Sequence, residues 1–142
     1  KRVAMTLDSG IQVAPVICYE SVYGAFVTEY VREGAQFLAV MTNDAWWGNT
    51  PGHKQLLSYT RLRAIETRRP IARSANTGIS AFINPFGEIE QTLDYETKGV
   101  LEGEVKPQNK LTYYVRSGDF IARLALGISG FLFLFAIARK KT

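Results

Sequence analysis

The sequence predicts an α/β domain that is followed by one membrane-spanning helix. Up to about residue 106, short apolar runs of strand length alternate with segments of helix length, which is the pattern of α/β architecture. Beyond residue 119 the composition changes to a long apolar run that ends in basic residues, as many membrane helices do. The predicted regions are a domain over residues 1–106, a connector over 107–119, a transmembrane helix over 120–138 and a basic tail over 139–142.

The first predicted strand and helix flank the only cysteine of the chain. Residues 11–19 are rich in Val and Ile and nearly free of charge, which is typical of a buried strand. Ser21 can cap a helix that runs to about Glu33, because apolar residues recur on one face and Gly34 stands where a glycine commonly ends a helix. Cys18 is therefore expected where a strand ends and a helix is about to begin.

The middle of the chain predicts further strands and one longer helix. An apolar run over residues 37–41 precedes a polar loop over 42–53. A helix is predicted over 54–69, because Pro70 has no backbone donor and cannot continue it. Turns rich in Asn, Pro and Gly separate the remaining strands. These strands are expected over residues 71–74, 79–83 and 99–105.

The C-terminal apolar run is the basis of the membrane prediction. Residues 124–138 carry no charge, but this run is shorter than the roughly 20 residues that cross a bilayer. Phe120 and Ile121 must then join the span, with the Arg123 side chain reaching back to the interface. The alternative, a buried amphipathic helix, lacks the polar face it would need. The basic cluster at 139–141 predicts a cytoplasmic C-terminus and a domain on the outer side of the membrane.

The charge distribution argues against a nucleic-acid partner. The formal net charge is +4. Four of the 17 Lys and Arg residues follow Phe120 and all 13 Asp and Glu residues precede it, so the rest of the chain is neutral. Because the surplus positive charge flanks an apolar segment, it indicates a membrane surface and not a phosphate backbone.

Cys18 is the one candidate thiol nucleophile. The chain has a single Cys and a single His, so it offers neither a disulfide framework nor a Cys/His zinc site. A helix N-terminus close to Cys18 would stabilise its thiolate through the helix dipole. The alternative is that Cys18 is a small, buried and inert thiol.

Two neighbours of Cys18 are candidates for the same chemistry. The backbone N–H of Tyr19 could donate to an oxyanion formed on a carbonyl that Cys18 attacks. In an extended segment, Glu20 points to the same side as Cys18 and could orient the thiol or carry a proton. The alternative for Glu20 is a negative charge that favours the dipole of the following helix.

Further candidate residues stand in the middle of the chain. Trp46 and Trp47 could line an acyl pocket or touch a bilayer interface, and the alternative is ordinary packing of one ring and exposure of the other. Arg73, near a strand end, is the candidate for substrate binding among the arginines. The arginines within 61–69 are expected on a solvated or salt-bridged helix, because Glu66 stands three residues after Arg63. His53 is expected to be a structural residue.

Several short motifs follow one another in a fixed order over residues 7–105. They include Ile17-Cys18-Tyr19-Glu20, Thr42-Asn43-Asp44-Ala45-Trp46, Arg63-Ala64-Ile65-Glu66 and Asn76-Thr77-Gly78-Ile79-Ser80. This series resembles the nitrilase, or carbon-nitrogen hydrolase, superfamily. Within it, the Asn-Asp-Ala-Trp loop, the Arg-Ala-x-Glu helix and the apolar tail are most similar to the apolipoprotein N-acyltransferase family.

The resemblance implies a fold and a reaction. The fold would be a nitrilase-type α-β-β-α sandwich, of which this chain carries the C-terminal half, and no metal or organic cofactor is implied. Cys18 would take a fatty acyl chain from a phospholipid as a thioester and pass it to the amino group of a diacylglyceryl apolipoprotein. Glu20 matches a second glutamate of the family site. The setting would be a bacterial inner membrane, with the catalytic domain on the periplasmic side.

The resemblance is incomplete at one point. The family also needs a general-base glutamate and an oxyanion-binding lysine, which normally lie well upstream of the Cys-Tyr-Glu motif and are not found within Lys1–Ile17. We therefore expect the N-terminus to be a cut end and the chain alone to be inactive, since loss of acid/base catalysis typically costs about 10²- to 10⁴-fold in rate.

Two other functions fit the same motifs. A soluble nitrilase-type amidase would use the same cysteine on a small amide or nitrile, but it has no use for the apolar tail. A membrane-anchored binding domain that has lost its chemistry would keep its function without Cys18.

Overall fold

A computed structural model describes residues 2–140, with the backbone alone at Lys140. Its centre is one six-stranded sheet in which the strands lie side by side in chain order. The second, third and fourth strands run parallel, and the pairings at both edges are antiparallel. The strands are β1 (Met5–Thr6), β2 (Gln12–Ile17), β3 (Phe37–Thr42), β4 (Ile71–Ala75), β5 (Ser80–Ile83) and β6 (Ile89–Leu93).

Within residues 2–140, four α-helices and two short 3-10 turns connect and follow the strands. The helices are α1 (Gly24–Arg32), α2 (Pro51–Thr67), α3 (Tyr113–Ser117) and α4 (Phe120–Lys140). We name the 3-10 turn Cys18–Val22 the cysteine turn and the 3-10 turn Asp44–Trp47 the tryptophan turn. Each turn lies at the carboxyl end of a parallel strand. The cysteine turn follows β2 directly, and the tryptophan turn begins two residues after the last residue of β3. Open α/β sheets commonly carry their functional groups at this end.

The hydrophobic core lies between one face of the sheet and the helices. Alternate residues of β2 and β3, such as Val16 and Val40, are fully buried against α1 and α2 because successive side chains of a strand point to opposite faces. The other face is open, with Ile17 50% and Met41 43% exposed. The chain therefore forms one helix layer and one sheet layer, which is half of an α-β-β-α sandwich.

The predicted strand and helix around Cys18 are shorter in the structure. The strand ends at Ile17 and not at Tyr19, and α1 begins at Gly24 and not after Ser21. The reason is local: Cys18 has a φ of 48°, so the chain leaves the strand at this residue and turns before the helix starts.

The predicted strand over residues 99–105 is wrong, and the last strand is β6 (Ile89–Leu93). The side chain of Asn84 accepts hydrogen bonds from the backbone N–H groups of Phe86 (2.9 Å) and Glu88 (3.1 Å), which closes a tight turn. After this turn the chain reverses direction, and residues 89–93 pair antiparallel with β5 as the edge strand. The two-residue strand β1 and the short helix α3 were also not predicted.

The C-terminal helix stands apart from the domain. The stretch Phe120–Arg139 is long and apolar enough to cross a membrane, and none of it is buried. Gly118, with φ of 67°, makes the turn between α3 and α4. The rings of Tyr113 and Phe120 meet edge to face at 5.1 Å across this turn. The predicted span over 120–138 thus coincides with a continuous exposed helix.

Candidate active site

The cysteine turn presents Cys18 in a strained backbone conformation. A φ of 48° is rare for a residue with a side chain and costs on the order of 1–3 kcal/mol. Glu20 holds the turn, because its Oε2 accepts a hydrogen bond of 2.8 Å from the backbone N–H of Ile17. The buried Ser21 hydroxyl donates to the carbonyl of Cys18 at 2.9 Å. A nucleophile on such a strained strand-to-helix turn is raised toward solvent.

Cys18 and its neighbour are accessible from outside. Cys18 is a free thiol of intermediate exposure, and the Tyr19 side chain is 50% exposed. Among residues 2–140, no acceptor is found for the backbone N–H of Tyr19. The predicted inert, buried thiol is therefore not what this geometry provides. The roles of Cys18 as nucleophile and of the Tyr19 N–H as oxyanion donor stay predictions.

Arg73 and Asp44 form a buried ion pair. Both side chains are 0% exposed, and Nη2 of Arg73 lies 2.6 Å from Oδ2 of Asp44. Thr42 donates to the other carboxylate oxygen at 2.6 Å, while Arg73 also donates to the hydroxyl of Thr60 (2.9 Å) and the carbonyl of Ile79 (3.1 Å). Every group of the pair thus has a partner, as buried charges require.

This ion pair connects the tryptophan turn to the cysteine turn electrostatically. Burial lowers the pKa of Arg73, and the carboxylate of Asp44 opposes that change, with a smaller contribution in the same direction from Cys18. The side chain of Arg73 is 0% exposed, and its predicted binding of substrate stays a prediction.

The two tryptophans differ in their surroundings. Trp46 is 88% exposed, whereas Trp47 is 43% exposed and its indole lies against Gly52, where an added methyl group would be only 2.5 Å from Cε3. The Thr50 hydroxyl donates to the Trp47 carbonyl at 2.6 Å and fixes the end of the turn. One ring is thus packed and the other is free. Their predicted binding of substrate stays a prediction.

A groove of about 400 Å³ lies on the open face of the sheet. Its apolar lining includes Met41, which is the cross-strand neighbour of Ile17, the residue before Cys18. The full lining is Ala39, Val40, Met41, Ala72, Arg73, Ser74, Ser80, Phe82, Leu93, Gly99, Val100 and Leu101.

Polar residues that the sequence placed on the surface of α2 are buried. Arg63 is 5% and Arg69 is 1% exposed, so neither is solvated, but Arg63 makes the expected salt bridge with Glu66 at 3.2 Å. Arg69 donates to the carbonyls of Ala35 (2.7 Å) and Lys110 (2.9 Å) and joins two loops. His53 is also buried and stacks on Tyr95 with centroids 4.5 Å apart. Within the described part of the chain, no group of three His, Cys, Asp or Glu residues could hold a metal ion.

The fold and the site define a class of protein. The carbon-nitrogen hydrolase family model matches residues 2–110, and the chain belongs to this family. Over 131 residues it is 39% identical to the apolipoprotein N-acyltransferase of Chlorobaculum tepidum, covering 92% of the chain and 25% of that relative. The chain therefore spans about a quarter of the length of the curated relatives it matches.

Solved structures of lower identity share the fold. A crystal structure of an amidase from Nesterenkonia sp. has a TM-score of 0.58 at 20% identity and covers 89% of this chain and 48% of the amidase. A mutant amidase from Nesterenkonia sp. AN1, with acrylamide added at its active-site cysteine, has a TM-score of 0.53 at 22% identity, with 69% and 41% covered. These likenesses show that the half-sandwich described above is a nitrilase fold.

Proposed function

We propose that this chain is the nucleophile-bearing C-terminal part of an apolipoprotein N-acyltransferase. The observation that carries the proposal is the accessible Cys18 on a strained turn that the Glu20 carboxylate closes. The relatives at 33–39% identity over more than nine-tenths of the chain support the acyltransferase branch of the family.

In the first step, the Cys18 thiolate attacks the ester carbonyl of a phospholipid. The new C–S bond forms a tetrahedral oxyanion, to which the free N–H of Tyr19 donates. The C–O bond then breaks, a proton reaches the leaving alkoxide, and a lysophospholipid departs.

In the second step, the amino group of a diacylglyceryl apolipoprotein attacks the thioester carbonyl. The C–S bond breaks, the amide forms, the amine loses its proton to a base, and the Cys18 thiolate returns. The resemblance assigns the base and a second oxyanion donor to a glutamate and a lysine upstream of this segment. The chain alone is therefore expected to be inactive.

The exposed helix α4 supports a membrane setting for this reaction. An isolated helix of this composition is stable only where apolar material surrounds it. We propose that α4 crosses the bacterial inner membrane with the basic C-terminus in the cytoplasm and the domain in the periplasm. A protease that reaches a C-terminal tag only from the cytoplasmic side would support this orientation, and protection there would contradict it.

The test of the reaction uses the full-length protein and the peptide that carries Cys18. Incubation with phospholipid should add the mass of one fatty acyl group to this peptide, and hydroxylamine should remove it. A Cys18→Ala protein should show no added mass. An unchanged mass in a protein that still acylates lipoprotein would contradict the thioester mechanism.

An amidase is the alternative function, and the same protein preparation separates the two. An amidase would release ammonia from small amides and would be recovered in the soluble fraction. Acyl transfer predicts recovery in the membrane fraction and no release of ammonia.

A further inference from the structure

Three polar side chains from two helices meet beside the first residue of α1. Arg63 and Glu66 belong to α2, and Tyr114 belongs to α3. Nη2 of Arg63 donates to Oε1 of Glu66 at 3.2 Å, with the two side chains 6% and 19% exposed. We name Arg63, Glu66 and Tyr114 the Gly24 cluster, because all three converge on that glycine.

Gly24 is enclosed by the tips of these side chains. A methyl group at this position would overlap Nη1 of Arg63 and would lie 2.7 Å from the Tyr114 hydroxyl and 3.0 Å from Oε2 of Glu66. The N-cap residue Tyr23 makes no side-chain capping bond, so the carboxylate of Glu66 stands near an uncapped helix N-terminus. Negative charge is favourable there. A side chain at this position would therefore displace the ends of the three side chains.

The Gly24 cluster contains buried polar atoms without partners. The Nε of Arg63 and Oε2 of Glu66 have no hydrogen-bond partner within residues 2–140. Burial raises the pKa of Glu66 despite the opposing effect of Arg63, and Asp119 raises it further. Apolar residues of the same size would avoid this cost. The buried polar atoms of the Gly24 cluster therefore do not serve the stability of the fold alone.

Short connections join Gly24 to the cysteine turn. The backbone N–H of Tyr23, the residue before Gly24, donates to the carbonyl of Glu20 at 3.1 Å. Ser21 is fully buried and bonds to the carbonyl of Cys18. Because no flexible segment separates the cysteine turn from α1, a displacement of Gly24 moves the turn that carries Cys18.

The same cluster is anchored to the segment that leads into the apolar helix. The hydroxyl of Thr112 donates to the carbonyl of Glu66 at 2.6 Å, and Nε of Arg32 donates to the carbonyl of Val115 at 2.6 Å. Val115 on α3 is fully buried in the core. One bond thus joins α3 to α1, and a second bond joins the N-cap residue of α3 to α2. Both lie just before the chain turns into α4.

We propose that Arg63, Glu66 and Tyr114 are positioning residues that hold the first turn of α1, and through it the strained cysteine turn, against α3. The inference rests on the proposed function, since it assigns the cluster to the thioester-forming step. In this proposal the three side chains act through the backbone of α1 and not on the thiol itself. They act on the orientation of Cys18 and leave phospholipid binding unchanged.

The test is Gly24→Ala in the full-length protein, with thioester formation at Cys18 measured by mass over a range of phospholipid concentrations. Alanine favours a helix more than glycine does, so the helix itself is not weakened. We expect the rate at saturating phospholipid to fall at least tenfold while the KM for phospholipid changes less than twofold. Glu66→Ala is expected to give the same pattern.

Two controls separate positioning from general damage. In an Arg63→Ala background, which removes the side chain nearest to the new methyl group, Gly24→Ala should add less than a twofold loss, because both changes act on one cluster. Ile83→Val removes a methyl group from the core on β5, where Ile83 is 1% exposed, and should lower the unfolding temperature without the rate loss.

The outcomes are distinct. A Gly24→Ala protein that forms the thioester at the wild-type rate overturns this inference and leaves the proposed function intact. A rate that falls in Ile83→Val in proportion to lost stability also overturns it. A wild-type protein that forms no thioester overturns the proposed function together with the inference.

Discussion

The carboxylate of Glu20 accepts a hydrogen bond from the backbone N–H of Ile17 at 2.8 Å and so bridges the strained residue Cys18. Glu20 is thus bonded to the backbone on the far side of Cys18, whereas the sequence suggested a carboxylate that orients the thiol directly. The strained backbone at Cys18 costs roughly 1–3 kcal/mol. The bond from Ile17 to Glu20 holds Cys18 in this conformation.

The first prediction concerns this bond. Glu20→Ala removes the acceptor, and a hydrogen bond to a charged group contributes about 1.5–3 kcal/mol. We expect thioester formation at Cys18 to slow by about 10- to 100-fold, since about 1.4 kcal/mol corresponds to a factor of ten. Glu20→Gln retains an acceptor oxygen and should lose much less. Equal losses in both variants would instead indicate that the charge of Glu20 acts on the reaction itself.

The second prediction concerns the buried ion pair. Asp44→Asn keeps the shape of the side chain and leaves the buried charge of Arg73 uncompensated, which costs about 3–5 kcal/mol. Thermal unfolding followed by tryptophan fluorescence should show a midpoint lowered on the order of 10 °C. The control is Glu29→Gln, because the pair of Glu29 with Arg2 is partly exposed and such pairs contribute about 0–1 kcal/mol. Similar midpoints in both variants would contradict this account.

The strands β2 to β4 and the position of Cys18 could be predicted because their signal is local. The apolar runs of β2 to β4 are strands in the structure, and Cys18 lies at the end of the first of them. The left-handed backbone at Cys18 could not be predicted, since no glycine or asparagine marks it. It exists because Glu20 and Ser21 bond back to the residues around it.

The burial of the arginines was missed for a different reason. The inner side of α2 carries Thr60, Arg63 and Thr67 beside its apolar residues, so hydrophobic periodicity does not identify which face is covered. Arg73 and Arg69 are buried through partners 29 and 34 residues away in sequence, and such pairings are decided by tertiary structure. The sequence showed the Arg63 and Glu66 motif of the Gly24 cluster, but it did not show that Tyr114 and Gly24 meet these residues, for the same reason.

The third prediction separates the two tryptophans. Trp46→Ala should change stability by no more than about 0.5 kcal/mol, because the ring is 88% exposed. If Trp46 contacts lipid, its loss should raise the KM for phospholipid vesicles about fivefold, which corresponds to roughly 1 kcal/mol. Trp47→Ala should instead lower the unfolding midpoint, since it uncovers Gly52. An unchanged KM in Trp46→Ala would remove this residue from the substrate site.

The fourth prediction concerns the pH dependence that Glu66 gives to stability. Burial raises the pKa of Glu66 above its ordinary value of 4.5 in the folded state, with Arg63 opposing the change and Asp119 adding to it. Between the ordinary and the raised pKa, the folded state binds more protons than the unfolded state. Stability from this group is therefore greatest at low pH and falls as the pH rises through that window.

A glutamine at position 66 cannot ionise. The Glu66→Gln variant should therefore lack this fall of stability with rising pH. The unfolding midpoint of the wild-type protein should fall relative to Glu66→Gln as the pH is raised from about 4.5, and the difference should become constant above the raised pKa. Asp119→Asn is the matched control, because it removes one cause of the shift while its Oδ1 can still accept from the N–H of Ala122. The slope should be smaller in that background. Parallel midpoints for wild type and Glu66→Gln at every pH would show that Glu66 titrates normally and would contradict its burial beside Gly24.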